Sequence, residues 1–105
     1  MGAFRVVFIT TSTEKAEELA RGLVESRLAG CVNIVDKVKS IYWWKGMVKD
    51  DSESLLIVKT STKKVEMLIK EVKQTHGYDI PEVISLAVAE GNPDYLDWLD
   101  KETVG

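Results

Sequence analysis

Among the side chains able to do chemistry, Cys31 and His76 stand out because each is alone of its kind in the 105 residues. Apart from three methionines they are the only soft or borderline metal ligands, so a copper site would use them or fall back on carboxylates. Each also has an ordinary structural use. Free cysteine is among the most buried residue types, and Cys31 opens a strand-like run where it would pack as a small hydrophobe. His76 precedes Gly77 at the end of a helical pattern, where an imidazolium suits the negative end of the helix dipole. A second group is aromatic. Tyr42, Trp43 and Trp44 are adjacent, so a strand sends Tyr42 and Trp44 to one face and Trp43 to the other. They serve either packing between subunits or a ligand pocket in an intersubunit cleft, with Lys59, Tyr78 and Glu82 as its polar members. Lys59 suits an anion and Glu82 a cation, and the two could equally pair with each other. Asp50, Asp51 and Glu53 form an acidic cluster, read as a solvated loop with loose affinity for hard cations. Catalysis is not expected. One histidine and one cysteine from distant segments give no nucleophile with its base, and there is neither a glycine-rich phosphate loop nor a His-Glu-x-x-His zinc motif.

The elements that must position these groups can be read from periodicity. Phe4 to Thr10 is an apolar, β-branched run of strand length, closed by Thr10-Thr11-Ser12-Thr13. Ala16, Leu19, Ala20, Leu23, Val24 and Leu28 then recur at helical spacing, with Thr11 and Glu14 spaced as a capping box and Gly30 as the stop. Cys31 to Trp44 reads as a long strand, Lys45-Gly46 as a turn and Met47 to Thr60 as the returning strand, with a bulge expected near Asp50-Asp51-Ser52. Thr60-Ser61-Thr62 caps a second helix carrying Val65, Leu68, Ile69 and Val72 and ended by Gly77. Val83 to Ala89 is a fourth strand. Asn92 and Pro93 start a short terminal helix carrying Tyr95, Trp98 and Leu99. The order β-α-β-β-α-β predicts an α+β, ferredoxin-like domain over residues 1–105: an antiparallel sheet with both main helices on one face, plus the C-terminal helix. Such a sheet leaves one face bare. The strands around Val7-Phe8-Ile9 and Leu55-Leu56-Ile57-Val58 have no polar side, so a tight oligomer is expected to cover that face, the terminal helix being too short to do so.

Composition narrows the classes. A net charge of −3 offers no field for nucleic acid. No apolar run approaches the ~18 residues that span a bilayer, and no leader precedes the first strand, so a cytoplasmic location is expected. A single cysteine agrees with a reducing compartment. One glutamine and two asparagines against seventeen acidic residues hint at a thermostable, heat-adapted protein.

Six segments in this order resemble the CutA family, named for divalent-cation tolerance. They are Phe8-Ile9-Thr10-Thr11, Leu28-Ala29-Gly30-Cys31-Val32-Asn33-Ile34, Ser40-Ile41-Tyr42-Trp43-Trp44-Lys45-Gly46, Glu53-Ser54-Leu55-Leu56-Ile57-Val58-Lys59-Thr60, His76-Gly77-Tyr78-Asp79-Ile80-Pro81-Glu82 and Gly91-Asn92-Pro93-Asp94-Tyr95-Leu96-Asp97-Trp98. The resemblance implies a ferredoxin-like subunit in a homotrimer of PII-like architecture. It also implies a role in tolerance of copper and other divalent metals, with no tightly bound cofactor and with metal ions as partners. Some members of the family carry a cysteine at the place of Thr10 and a histidine at that of Thr75. Copper is therefore expected to bind weakly, with His76 as the main nitrogen donor. Two other readings stay open: a PII-like sensor of a small ligand held between subunits, and a structural trimer with a protein partner.

Overall fold

In the computed structural model, which describes residues 2–104, the chain runs through β1 (Phe4–Thr11), α1 (Thr13–Glu25), β2 (Cys31–Trp44), β3 (Met47–Ser61), α2 (Val65–Thr75, after a single 3-10 turn), β4 (Val83–Ala87) and α3 (Pro93–Glu102). The four strands form one antiparallel sheet in the order β2-β3-β1-β4. This is the ferredoxin-like arrangement. Alternation along the strands decides its two sides. Val7 and Ile9 of β1 and Leu56 and Val58 of β3 are buried with Ala16, Leu19, Ala20 and Leu23 of α1 and Leu68 and Val72 of α2. The opposite face carries Val6, Phe8, Leu55 and Ile57 of the central strands, all half-buried, and the exposed Ile84 and Leu86 of β4. Helix α3 covers one end of this second face. Its Leu99 is buried, and a Cβ on Gly30 would stand 2.5 Å from the Leu99 Cδ1. The Thr103 hydroxyl donates to Ser61 Oγ at 3.0 Å.

Several boundaries differ from the sequence reading. Helix α1 ends at Glu25, and the left-handed residue behind it is Arg27 (φ 66°), not Gly30, which is needed for its missing side chain beneath α3. The N-cap of α1 is Ser12, without a side-chain cap bond, because Thr11 is still paired in β1 opposite Ser54 and the capping box does not form. Strand β4 stops at Ala87, short of Ala89.

The expected bulge lies on the other strand. Val35 pairs with Leu55 and Val38 with Glu53, so Asp36 and Lys37 share the single position opposite Ser54. Lys37 takes φ 63°, and the Ser54 hydroxyl donates to Asp36 Oδ1 at 2.7 Å. An extra residue changes the parity of a strand. Beyond it the even-numbered residues of β2, Tyr42 and Trp44 among them, share the helix-free face with Asp51 and Glu53. The acidic stretch Asp50-Asp51-Ser52 is itself regular strand.

From Val38↔Glu53 to Trp44↔Met47 the β2–β3 ladder continues past the end of β1 as a two-stranded arm. Seven pairs at strand rise give it a length of about 24 Å, a large part of the 44 Å long axis. Ile41, Trp43, Met47 and Val48 are exposed on it, Trp43 to 72%.

Candidate functional site

Where the arm leaves the body, the helix-free face and the loop from 77 to 82 enclose a cleft of about 870 Å³. Tyr42 and Trp44 come to it from β2, Asp51 and Glu53 from β3, Thr10 from the end of β1, and Tyr78, Asp79 and Glu82 from the loop. The loop is pinned at its root by His76. In β1 the Phe4 carbonyl accepts from Val88, so the even-numbered residues present their backbone groups to the β4 side; β4 begins only at Val83, opposite Ile9. The Thr10 carbonyl lies past that end, and the His76 Nε2–H donates to it at 2.6 Å. The imidazole is 1% exposed, and its ring meets Tyr78 edge-on at 4.4 Å between centroids. Gly77 then takes φ 97°, turning the chain out of α2 into the cleft wall.

Within the cleft the carboxylates are partly engaged. The Tyr78 hydroxyl donates to Glu53 Oε2 at 2.9 Å, and Glu53 is only 5% exposed. Burial, helped by that carboxylate, pushes the Tyr78 phenol well above the usual tyrosine range. The Tyr42 hydroxyl donates to Asp51 Oδ2, and this bond raises the Tyr42 phenol as well. The Thr10 hydroxyl makes a long contact of 3.4 Å to Glu82 Oε1. Four carboxylates and three aromatic rings thus line the cleft, and among the described residues no lysine, arginine or histidine does. Such a lining attracts cations and repels phosphates and carboxylates.

Tyr42, Trp44, Tyr78 and Glu82 are brought together here. Lys59 is not. It lies four residues along β3 from Leu55, opposite Cys31, and its ammonium donates to Asn33 Oδ1. Cys31 is half-buried under α3 beside Tyr95, whose phenol is pushed up by burial and by the nearby thiol. The pair Cys31 and His76 therefore forms no common site. Cys31 sits across from Lys59, which is opposite Val6, whereas His76 bonds Thr10, about 13 Å further along β1 at strand rise. His76, read from the sequence as the main metal donor, has its Nε2 engaged by the Thr10 carbonyl and its Nδ1 buried without a hydrogen-bond partner. The Thr75 hydroxyl donates to the Glu71 carbonyl within α2. Among the described residues no three His, Cys, Asp or Glu side chains are gathered as for a metal ion.

Residues 5–102 match the family described as CutA1 divalent ion tolerance protein. The divalent-cation tolerance protein CutA of Thermus thermophilus is 50% identical over 99 residues, covering 93% of this chain and 96% of that protein. A solved structure of the divalent cation tolerance protein from the same organism, also 50% identical, superposes with a TM-score of 0.93 over 96% of this chain and 99% of its own. Mouse protein CutA is 45% identical over 97% of this chain, which spans 58% of the mouse protein's length. A PII-like protein CutA from Nostoc, in its apo form, is 33% identical with a TM-score of 0.90, covering 95% of this chain and 97% of the other. No helix among the described residues is long and apolar enough to cross a membrane.

Proposed function

The chain belongs to the CutA1 divalent ion tolerance family, and from that membership we propose that it works as a homotrimer that takes up divalent cations weakly in its acidic cleft. The carrying observation is the lining: Asp51, Glu53, Asp79 and Glu82 face one space whose lining residues, among those described, include no basic side chain, Lys45 approaching only the Trp44 ring. Spread over about 870 Å³, these groups concentrate cations by their field without a closed coordination shell. Among divalent ions copper is held best by the general affinity order. The trimer rests on the apolar helix-free face and on the arm, whose exposed Ile41, Trp43, Met47 and Val48 and unpaired strand edges fit a neighbouring subunit.

Calorimetric titration with Cu(II) tests the site. The Asp79→Asn, Glu82→Gln double variant binds several-fold more weakly than the parent, because both carboxylates come from an exposed loop and their loss leaves the core intact. Equal affinity in that variant removes the cleft from metal handling. His76→Ala keeps the copper affinity and loses stability instead.

The likeness to the PII-like Nostoc protein supports a second reading, a sensor of a small ligand. The charge of the cleft restricts that ligand to a cation.

A further inference from the structure

An aquated metal ion gains from carboxylates but little from aromatic rings. The cleft carries both. Tyr42, Trp44 and Tyr78 line it together with Glu53, Asp51 and Glu82. Ring faces attract a positive charge most strongly when that charge has shed its water, which organic ammonium ions do readily because their charge is spread over alkyl groups. Two further observations point the same way. Glu53 is only 5% exposed, and its Oε2 accepts from the Tyr78 hydroxyl at 2.9 Å. A carboxylate held in the wall of the cleft by such a bond offers a fixed negative charge to a cation that enters beside it. In addition, the Lys45 ammonium stands 5.8 Å from the centroid of the Trp44 ring, so this indole already receives an alkylammonium from the chain itself.

We infer that the cleft binds a compact organic ammonium ion, a quaternary or protonated amine, seated between the Tyr42, Trp44 and Tyr78 rings and neutralised by Glu53. This deepens the acidic-cleft reading given above and rests on it. Divalent metal and organic cation then compete for the same carboxylates, and binding of one reports on the other. Lys45, tethered at the hairpin turn, acts as a weak internal competitor at the outer ring.

The test uses the full chain in its assembled state, at constant ionic strength, with choline as the probe and its uncharged isostere 3,3-dimethylbutan-1-ol beside it. The tryptophan indole resonances report binding, and Mg(II) and adenosine triphosphate are titrated in parallel. Choline is expected to shift the Trp44 resonance and leave Trp43, on the other strand face, in place. The neutral isostere is expected to bind roughly tenfold more weakly, the size of a cation–π contribution of about 1.4 kcal/mol. Glu53→Gln and, should that variant fold poorly, the exposed Glu82→Gln lower choline affinity several-fold, and Lys45→Met raises it. Equal binding of choline and the isostere overturns the inference, since the cleft would then be an apolar slot. Binding of Mg(II) at the same resonances without choline overturns it and leaves the acidic-cleft reading standing. Silence toward both cations overturns the two together, as does tighter binding of adenosine triphosphate.

Discussion

Glu53 shows how one side chain can tie packing to chemistry. It belongs to β3, shares a face with Leu55 and Ile57, and is buried where the arm leaves the body. Its hydrogen-bond donor is the Tyr78 phenol, so Tyr78→Phe strips a buried carboxylate of its partner. The expected cost in denaturant unfolding is about 1–3 kcal/mol. The same bond gives a pH signature. The folded protein holds the Tyr78 phenol above the usual tyrosine range, chiefly by burial. It therefore keeps a proton that the unfolded chain begins to lose near pH 10. That contribution to stability is complete below about pH 10 and is lost as pH rises toward the folded value. Unfolding curves between about pH 9 and 11 should show a steeper alkaline decline in the parent than in Tyr78→Phe. Strand alternation is a local signal, which is why Tyr42 and Trp44 can be put on one face of their strand from sequence. Lys59 and His76 escape such signals, because their partners, Asn33 and the Thr10 carbonyl, are chosen by sheet register and by where β4 begins. Glu53 is legible in principle: its spacing of two and four from Leu55 and Ile57 puts an acid on an apolar strand face.

The strands and helices are largely readable from hydrophobic period, and the departures share a cause. Gly30 reads as a helix stop because glycine favours positive φ, yet it is the close approach of α3 that excludes a side chain there. Gly30→Ala should push α3 off its seat and destabilise the protein by about 1–3 kcal/mol, with protease cutting appearing first in the segment that leads into α3. Polar residues look like an interruption, which draws the expected bulge to the acidic run. Its real site, Asp36-Lys37, has no glycine to mark it and is held by the Ser54 hydroxyl and a left-handed lysine. Deleting Lys37 restores simple alternation and exchanges the two sides of the arm. Tyr42 and Trp44 then leave the cleft and Trp43 enters it. Loss of the choline-induced Trp44 shift in this deletion variant, with far-ultraviolet circular dichroism unchanged, is the expected result.

A sheet covered by helices on one side and by α3 at only one end of the other leaves Phe8, Ile57, Ile84 and Leu86 with too little cover for a lone subunit. In the proposed trimer they are buried together with Ile41, Trp43 and Val48, on the side of the arm that faces away from the cleft. Light scattering after gel filtration should give the mass of three chains at micromolar concentration, and a mass of one or two chains refutes the assembly. Trp43→Glu places an unpaired charge at the most exposed ring of the arm and should shift the equilibrium toward smaller species. The arm also carries an implication for time. All its pairs join residues no more than fifteen apart, from Val38↔Glu53 inward to Trp44↔Met47. A hairpin of such local pairs closes in about 1–10 μs, well before two subunits at micromolar concentration meet at ordinary association rates of roughly 10⁵–10⁷ M⁻¹ s⁻¹. In the proposed trimer, association thus begins with the grasping limb already shaped. Refolding should separate into an early phase independent of dilution and a later one that slows in proportion to it.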